Sequence, residues 1–280
     1  MPRSNCKGSL MGKRIVLTGA STGIGAACAQ LFSAAGDEVI TLDIKDAPAG
    51  SSRHIACDLS DPASIDAAVA ALDGNFDALL NVAGVPGTVD PLLIMKVNTI
   101  GLRRFTEALR GRLNRGGAIV SIASIAGFNW ARHLKDINEL LAIDDFEQAV
   151  AWCAARGMDG NTAYHFSKEC VVVYTMQLAA MGPTAGVRAN SISPGPVATP
   201  LLPAFKEQAG AGQLDWVIGE IGRAAEPLDI ANVVQYLATG PSDYVNGRDL
   251  IVDGGFSAGL AMGWIDKNAS PLMKARAAGQ

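Results

Sequence analysis

Ile15-Val16-Leu17-Thr18-Gly19-Ala20-Ser21-Thr22-Gly23-Ile24-Gly25 is followed by an Ala-rich stretch, Ala26 to Ala35, that stops at Gly36. The order is a β-rich run, a glycine loop and a helix. The glycines allow a tight turn and let backbone N–H groups approach an anion such as pyrophosphate at the helix N-terminus, where the helix dipole favours negative charge. The spacing is Gly-x-x-x-Gly-x-Gly, so the general dinucleotide fingerprint Gly-x-Gly-x-x-Gly does not match as written. Gly19, Ser21, Thr22, Gly23, Ile24 and Gly25 are the candidate phosphate-binding residues. The next apolar run, Glu38 to Leu42, ends at Asp43, 24 residues past Gly19. An acid at that place hydrogen-bonds the adenosine ribose and repels a 2′-phosphate, which favours NAD over NADP. Lys45 is the counter-signal that keeps NADP open, and Asp43 also reads as an ordinary strand-end turn residue.

Working outward, the same alternation repeats. His54 to Cys57 is a weak strand before Asp58-Leu59, and Ser60-Asp61-Pro62 caps a helix that runs to about Leu72. Phe76 to Val82 is a strand leading into Asn81-Val82-Ala83-Gly84, and Leu92 to Leu113 reads as mostly a long helix carrying Asn98 in its middle. Gly117 to Ile122 is a strand that opens onto Ser124. Val187 to Ile192 and Asp249 to Val252 are the last two, separated by a flap over 200–222 and a helix over Pro227 to Ala238. Strands alternating with helices imply right-handed crossovers and a parallel sheet covered on both faces. The rhythm breaks once, over 128–161, where the pattern predicts a helical insert, since long structureless loops are rare inside domains.

The chain has 280 residues, 49% of them hydrophobic, and a net charge of −4. One domain over 13–255 accommodates that length, with a disordered leader over 1–12, in which Met11 is an alternative start, and a tail over 256–280. The mild acidity and the lack of a basic run exclude nucleic acid as a partner. No apolar stretch is long enough for a membrane span or a signal peptide. The five cysteines are dispersed, with no Cys-x-x-Cys and no Cys/His cluster. They read as reduced thiols of a cytoplasmic protein, with no metal site expected.

Ala163-Tyr164-His165-Phe166-Ser167-Lys168 carries the chemistry. Tyr164 and Lys168, four apart, share one helix face. A phenol titrates near 10, too high for a base at neutral pH, and a lysine ammonium one turn away favours the phenolate. Such a pair can take a proton from an alcohol or return one to a carbonyl. By chance alone the same spacing is a packed tyrosine beside a solvated lysine. His165 is expected to point away from Tyr164 and to serve helix packing.

With these residues assembled, the chain resembles the short-chain dehydrogenase/reductase family from Lys13 to Gly255. Thr18 to Gly25 is similar to the family's cofactor loop, Asp58-Leu59 to its adenine contact, and Asn81 to Gly84 to its central-strand motif, with Val82 in place of the commoner Asn. Asn98, Ser124, Tyr164 and Lys168 match its catalytic tetrad. Pro194, Gly195, Val197 and Thr199 match the loop on the nicotinamide side. The resemblance implies an α/β fold, a doubly wound Rossmann fold with a seven-stranded parallel sheet and a helical insert between strand 5 and the catalytic helix. It also implies cofactor binding by Gly19, Ser21, Thr22, Gly23, Ile24, Gly25, Asp43, Asp58, Leu59, Asn81, Ala83, Gly84, Tyr164, Lys168, Pro194, Gly195, Val197 and Thr199. In that pattern Tyr164 transfers the proton, Lys168 lowers its pKa, Ser124 holds the substrate oxygen and Asn98 holds a water leading to solvent.

Ser124 and Tyr164 are 40 residues apart, and an insert at this point resembles bacterial 3α-hydroxysteroid dehydrogenase/carbonyl reductases and coniferyl-alcohol dehydrogenases. Val85-Pro86-Gly87-Thr88 leans towards the aryl-alcohol side, and the steroid members imply a homodimer in place of a tetramer. The resemblance therefore implies NAD-dependent interconversion of an alcohol and its carbonyl compound. Ile125, Trp130, Val197, Leu201, Leu202 and Phe205 are candidate pocket residues because they follow strand C-termini. Trp130 and Trp152 equally suit the insert's own core. A dinucleotide-binding sensor without turnover is the alternative from another class.

Overall fold

A computed structural model describes residues 12–210 and 212–278. Apart from Gly12, the expected leader lies outside the described residues. The first unit is β1 (Arg14–Thr18), α1 (Gly23–Ala34) and β2 (Glu38–Asp43), followed by β3 (Arg53–Ala56), α2 (Pro62–Ala71) and β4 (Phe76–Asn81). α2 starts where the sequence marks it, with Asp61 accepting from the Ala63 amide and Pro62 in the first turn. Next come α3 (Pro91–Met95), α4 (Leu102–Leu109) and β5 (Leu113–Ile122), then α5 (Leu134–Leu141), α6 (Phe146–Ala154) and α7 (Gly160–Leu178). The chain continues through α8 (Met181–Ala185), β6 (Arg188–Pro194), α9 (Leu202–Ala209), α10 (Gln213–Ile221), α11 (Pro227–Ala238) and β7 (Asp249–Val252). It ends in α12 (Phe256–Met262) and α13 (Pro271–Ala277).

The seven strands form one parallel sheet in the order β3-β2-β1-β4-β5-β6-β7. The order reverses between β1 and β4, and ligands of such sheets bind where the chain diverges at the strand C-termini. Successive residues of β1 serve opposite faces: Val16 packs with Phe105 and Val171, while Ile15 and Leu17 pack with Phe32, Ile230 and Val234. Both faces are covered, so the inner strands are near-continuous apolar runs.

The mostly helical stretch expected over Leu92 to Leu113 runs from Pro91 to Arg112 but is not one regular α-helix. Between α3 and α4 the chain makes a wide π turn over Lys96–Gly101, and the helix gives way at Arg110 to a tight turn. A π turn accommodates one extra residue and re-aims its neighbours. At its end Gly101 lets the loop after β3 pack closely, because a Cβ there would stand 1.9 Å from the Leu59 carbonyl oxygen. β5 also begins at Leu113, four residues before the expected Gly117, since Leu113 already pairs with Phe76 ahead of an irregularity in the ladder.

The insert is helical and has no core of its own. Ile137, Leu140, Phe146 and Cys153 are buried with the main core, and Trp152 stacks on Phe166 of α7 with centroids 6.0 Å apart. His133, at the start of α5, places Nδ1 2.6 Å from Oε2 of Glu169, whose side chain is 3% exposed. Among the described residues no helix is long and apolar enough to cross a membrane. A buried carboxylate deprived of its partner costs about 3–5 kcal/mol. Urea unfolding of His133→Ala should therefore show a stability loss of about that size, whereas an unchanged midpoint would show that this bond does not anchor the insert.

Candidate active site

A cleft of about 850 Å³ crosses the C-terminal ends of the strands. At one end lies the glycine loop. Gly19 has φ +67°, and a Cβ on it would stand 2.4 Å from the Ala83 backbone, so the loop after β1 touches the loop after β4. Gly19, Thr22, Gly23, Ile24 and Gly25 all line the cleft. The N-terminus of α1 has no side-chain cap and no acid in its first turn. α2, α6 and α7, by contrast, are each capped by an aspartate, Asp61, Asp145 and Asp159. An uncapped helix start facing a cleft is what a phosphate group requires.

Asp43, Asp58 and Leu59 line the same end. The Asp43 carboxylate is held at the end of β2 by the Ser21 amide at 2.9 Å and the Lys45 amide at 3.1 Å. Ser21 is not in the cleft wall. Its hydroxyl donates to the Asp46 carbonyl at 2.6 Å, so it braces the loop. Asn81 is displaced from its expected place as well. It is buried inside the sheet, where Nδ2 donates to Thr106 Oγ1 at 2.9 Å and to Ser121 Oγ at 3.3 Å. Ala83 and Gly84 are the residues of that motif that reach the cleft.

At the other end, Ser124, Tyr164 and Lys168 come together. Ser124 follows β5 and turns the chain by accepting from the Ala126 amide at 3.1 Å. α7 begins on its Asp159 cap and carries Tyr164 and Lys168 one turn apart. Lys168 Nζ donates to the Ile122 carbonyl at 3.0 Å and lies 5.9 Å from the centre of the Tyr164 ring. Burial pushes the Tyr164 phenol up to about 12, against a smaller opposing effect of the nearby Ser124 hydroxyl. Burial also brings Lys168 down to about 8. Desolvation is the dominant effect at both groups.

Asn98 does not line the cleft. Its Oδ1 accepts from the Val85 amide at 2.8 Å, and its Nδ2 donates to the Val85 carbonyl at 3.0 Å and to Ser167 Oγ at 3.2 Å. The π turn aims this side chain at the loop after β4, which it clamps. Pro194, Gly195, Val197 and Thr199 form the far wall with Ile125, Leu201, Leu202 and Phe205. Trp130 packs at the edge of the main core instead, so its expected pocket role is corrected. α9 lies over the site, with Phe205 5.4 Å from the Tyr164 ring. It is latched by Gln208, which accepts from the Gly87 amide at 2.7 Å and donates to Asn161 Oδ1 at 3.2 Å.

The sequence reading missed Asn161, His165, Gln208, Leu272 and Arg276, all in the cleft wall. His165 was expected to face away, yet its ring meets that of Tyr164 edge-on at 6.2 Å. The tail, read only as a tail, returns through α13, where the Leu272 amide donates to Gln213 Oε1 at 3.1 Å.

The family described as short chain dehydrogenase matches residues 13–135, and one described as enoyl-(acyl carrier protein) reductase matches residues 149–257. A coniferyl-alcohol dehydrogenase of Pseudomonas sp. (strain HR199 / DSM 7063) is 35% identical over 89% of this chain and 98% of its own length. The chain belongs to the short-chain dehydrogenase family. This short-chain dehydrogenase is also 34% identical to a 3-alpha-hydroxysteroid dehydrogenase/carbonyl reductase of Comamonas testosteroni, over 87% and 96% of the two chains. Among solved structures, the 3-alpha-hydroxysteroid dehydrogenase of Pseudomonas sp. B-0831 complexed with NADH superposes with a TM-score of 0.76 at 31% identity, covering 88% of this chain and 97% of that one. The protein is thus an oxidoreductase of a family that uses a nicotinamide cofactor.

The titration of these two groups in the short-chain dehydrogenase has a measurable sign. Lys168 is lowered from 10.5 to about 8, so between those values the unfolded chain binds more protons and stability rises with pH. Tyr164 is raised from 10.0 to about 12, and its contribution is lost as pH rises through that window. Compared with Lys168→Met, the unaltered protein should gain on the order of 3 kcal/mol in urea unfolding between about pH 7.5 and pH 10. Parallel pH curves for the two would contradict a buried ammonium at this place.

Proposed function

We propose that this protein is an NAD-dependent alcohol dehydrogenase that interconverts an aryl or allylic primary alcohol, or a secondary alcohol, and its carbonyl compound, with a coniferyl-alcohol-like substrate. The observation that carries the reading is one cleft with an uncapped helix N-terminus and Asp43 at one end and Ser124, Tyr164 and Lys168 at the other. Thr22, Gly23 and Ile24 would hold the pyrophosphate through backbone amides, Asp43 the adenosine ribose, and Pro194 to Thr199 the nicotinamide side. Asp43 favours NAD because its fixed charge repels a 2′-phosphate. When bound, the cofactor supplies the hydride acceptor or donor.

The chain supplies the rest. Ser124 and Tyr164, side by side in the cleft, would grip the substrate oxygen from two sides and stabilise the charge that develops on it. Tyr164 takes the hydroxyl proton in oxidation and returns it in reduction. A phenol held at about 12 is a poor base, so its use requires added positive charge close by. Lys168, on the same face, provides part of that charge. Asn98 acts through the loop it clamps, keeping Val85 and Gly84 in place beside Lys168. Phe205 and the latched α9 keep water from the oxygen. A 3α-hydroxysteroid is the second reading, supported by the likeness to the steroid enzymes and by the flat apolar wall of Ile125, Val197, Leu201 and Leu202.

Reduction of NAD, followed at about pH 9 with coniferyl alcohol and with androsterone, separates the two, since alkaline pH favours removal of the hydroxyl proton. Coniferyl alcohol should be oxidised, and Tyr164→Phe should lower kcat by at least about 100-fold. Oxidation of androsterone alone would move the substrate to the steroid, and full activity in Tyr164→Phe would remove Tyr164 from its role. Asp43→Ala should shift preference towards NADP by roughly tenfold, equivalent to about 1.4 kcal/mol, in the ratio of the two kcat/KM values. An unchanged ratio would show that Asp43 does not face the ribose.

A further inference from the structure

The substrate end of the cleft is walled by Ile125, Val197, Leu201, Leu202 and Phe205, all apolar. Against them stand Asn161, His165 and Gln208, which also line it. Two of these are committed elsewhere. Gln208 accepts from the Gly87 amide, and its Nε2 occupies Asn161 Oδ1, so both work as the latch of α9. His165 is different. Its Nδ1 lies 2.8 Å from the carbonyl oxygen of Asn161, one turn earlier on α7. A carbonyl only accepts, so Nδ1 carries the hydrogen, and in the neutral imidazole Nε2 is left as an acceptor. Among the described residues no donor reaches Nε2. The bond to Asn161 also fixes the ring's orientation, edge-on to Tyr164 at 6.2 Å.

An oriented acceptor beside the proton-transferring phenol, facing an apolar wall, is a reader of hydrogen-bond donors. An apolar ligand that covers it removes its water and gives nothing back, whereas a ligand hydroxyl replaces the water. Sites built in this way reject analogues lacking the hydroxyl more strongly than apolar pockets reject a change of shape. We infer that His165 is a specificity-determining residue that accepts a hydrogen bond from a second hydroxyl of the substrate, selecting hydroxyl-bearing aryl alcohols over their unsubstituted analogues. The inference rests on the alcohol-dehydrogenase reading above. His165 takes no part in the proton transfer itself, and Tyr164 and Ser124 remain the groups on the reacting oxygen.

The test compares kcat/KM for cinnamyl alcohol and its ortho-, meta- and para-hydroxy derivatives, in the unaltered enzyme and in His165→Phe and His165→Gln. The phenylalanine keeps a ring against Tyr164 without a nitrogen, and the glutamine restores an acceptor near Nε2. The unaltered enzyme should prefer one hydroxy isomer over cinnamyl alcohol by about tenfold. That ratio should fall to about one in His165→Phe and recover in part in His165→Gln. A merely structural effect would lower all the values together and leave the ratio intact. Equal kcat/KM values for the alcohols in the unaltered enzyme, or a preference that survives in His165→Phe, would overturn the role of His165 while the dehydrogenase reading stands. Oxidation of none of these alcohols would sink the aryl-alcohol reading and the inference with it.

Discussion

The site depends on one hydrogen bond, from the buried ammonium of Lys168 to the last carbonyl of β5 at Ile122. A charge taken out of water needs such a partner, and a strand's C-terminal carbonyl is free to serve. The bond seats α7 against the end of β5. Helix geometry then carries Tyr164 one turn along the same face, and Ser124 stands two residues beyond Ile122 on the strand side. One contact between two elements that are distant in sequence therefore brings three groups to one place. The insert reinforces it from behind, through Trp152 on Phe166 and His133 on Glu169, the residue after Lys168.

The two ends of the cleft are electrostatic complements of what they would hold. At the α1 end the protein leaves its backbone amides unspent, although it caps α2, α6 and α7 with aspartates. At the other end it buries a phenol and an ammonium until both lean towards their neutral forms. Neither end is finished without a ligand. An anion satisfies the first, and a positive charge near Tyr164 favours the phenolate at the second.

Much of this was legible in the chain. The strand, glycine loop and helix around Gly19, the acid at Asp43 and the four-residue spacing of Tyr164 and Lys168 are local patterns. Local patterns survive without tertiary information. What escaped the sequence depends on contacts between distant residues. The π turn around Asn98 is invisible to a 3.6-residue periodicity, as is the close approach of the Leu59 carbonyl to Gly101 at its end. Trp130 follows a strand end but turns to the main core, because the turn after Ser124 carries it away from the cleft. His165 was assigned away from Tyr164 from ideal helix geometry, yet the cleft wraps around the start of α7 and includes it. Arg276 and Leu272 arrive from the far end of the chain, with no motif to announce them.

The central claim is that Tyr164, assisted by the charge of Lys168, carries the substrate's proton. The pH dependence of kcat for alcohol oxidation with saturating NAD, compared with that of Lys168→Met, tests it most directly. The account predicts a rise to a plateau with a midpoint well below the value of about 12 that burial gives Tyr164, and a midpoint displaced upward in the variant. A profile without a titration, or one with the same midpoint in both proteins, would contradict it.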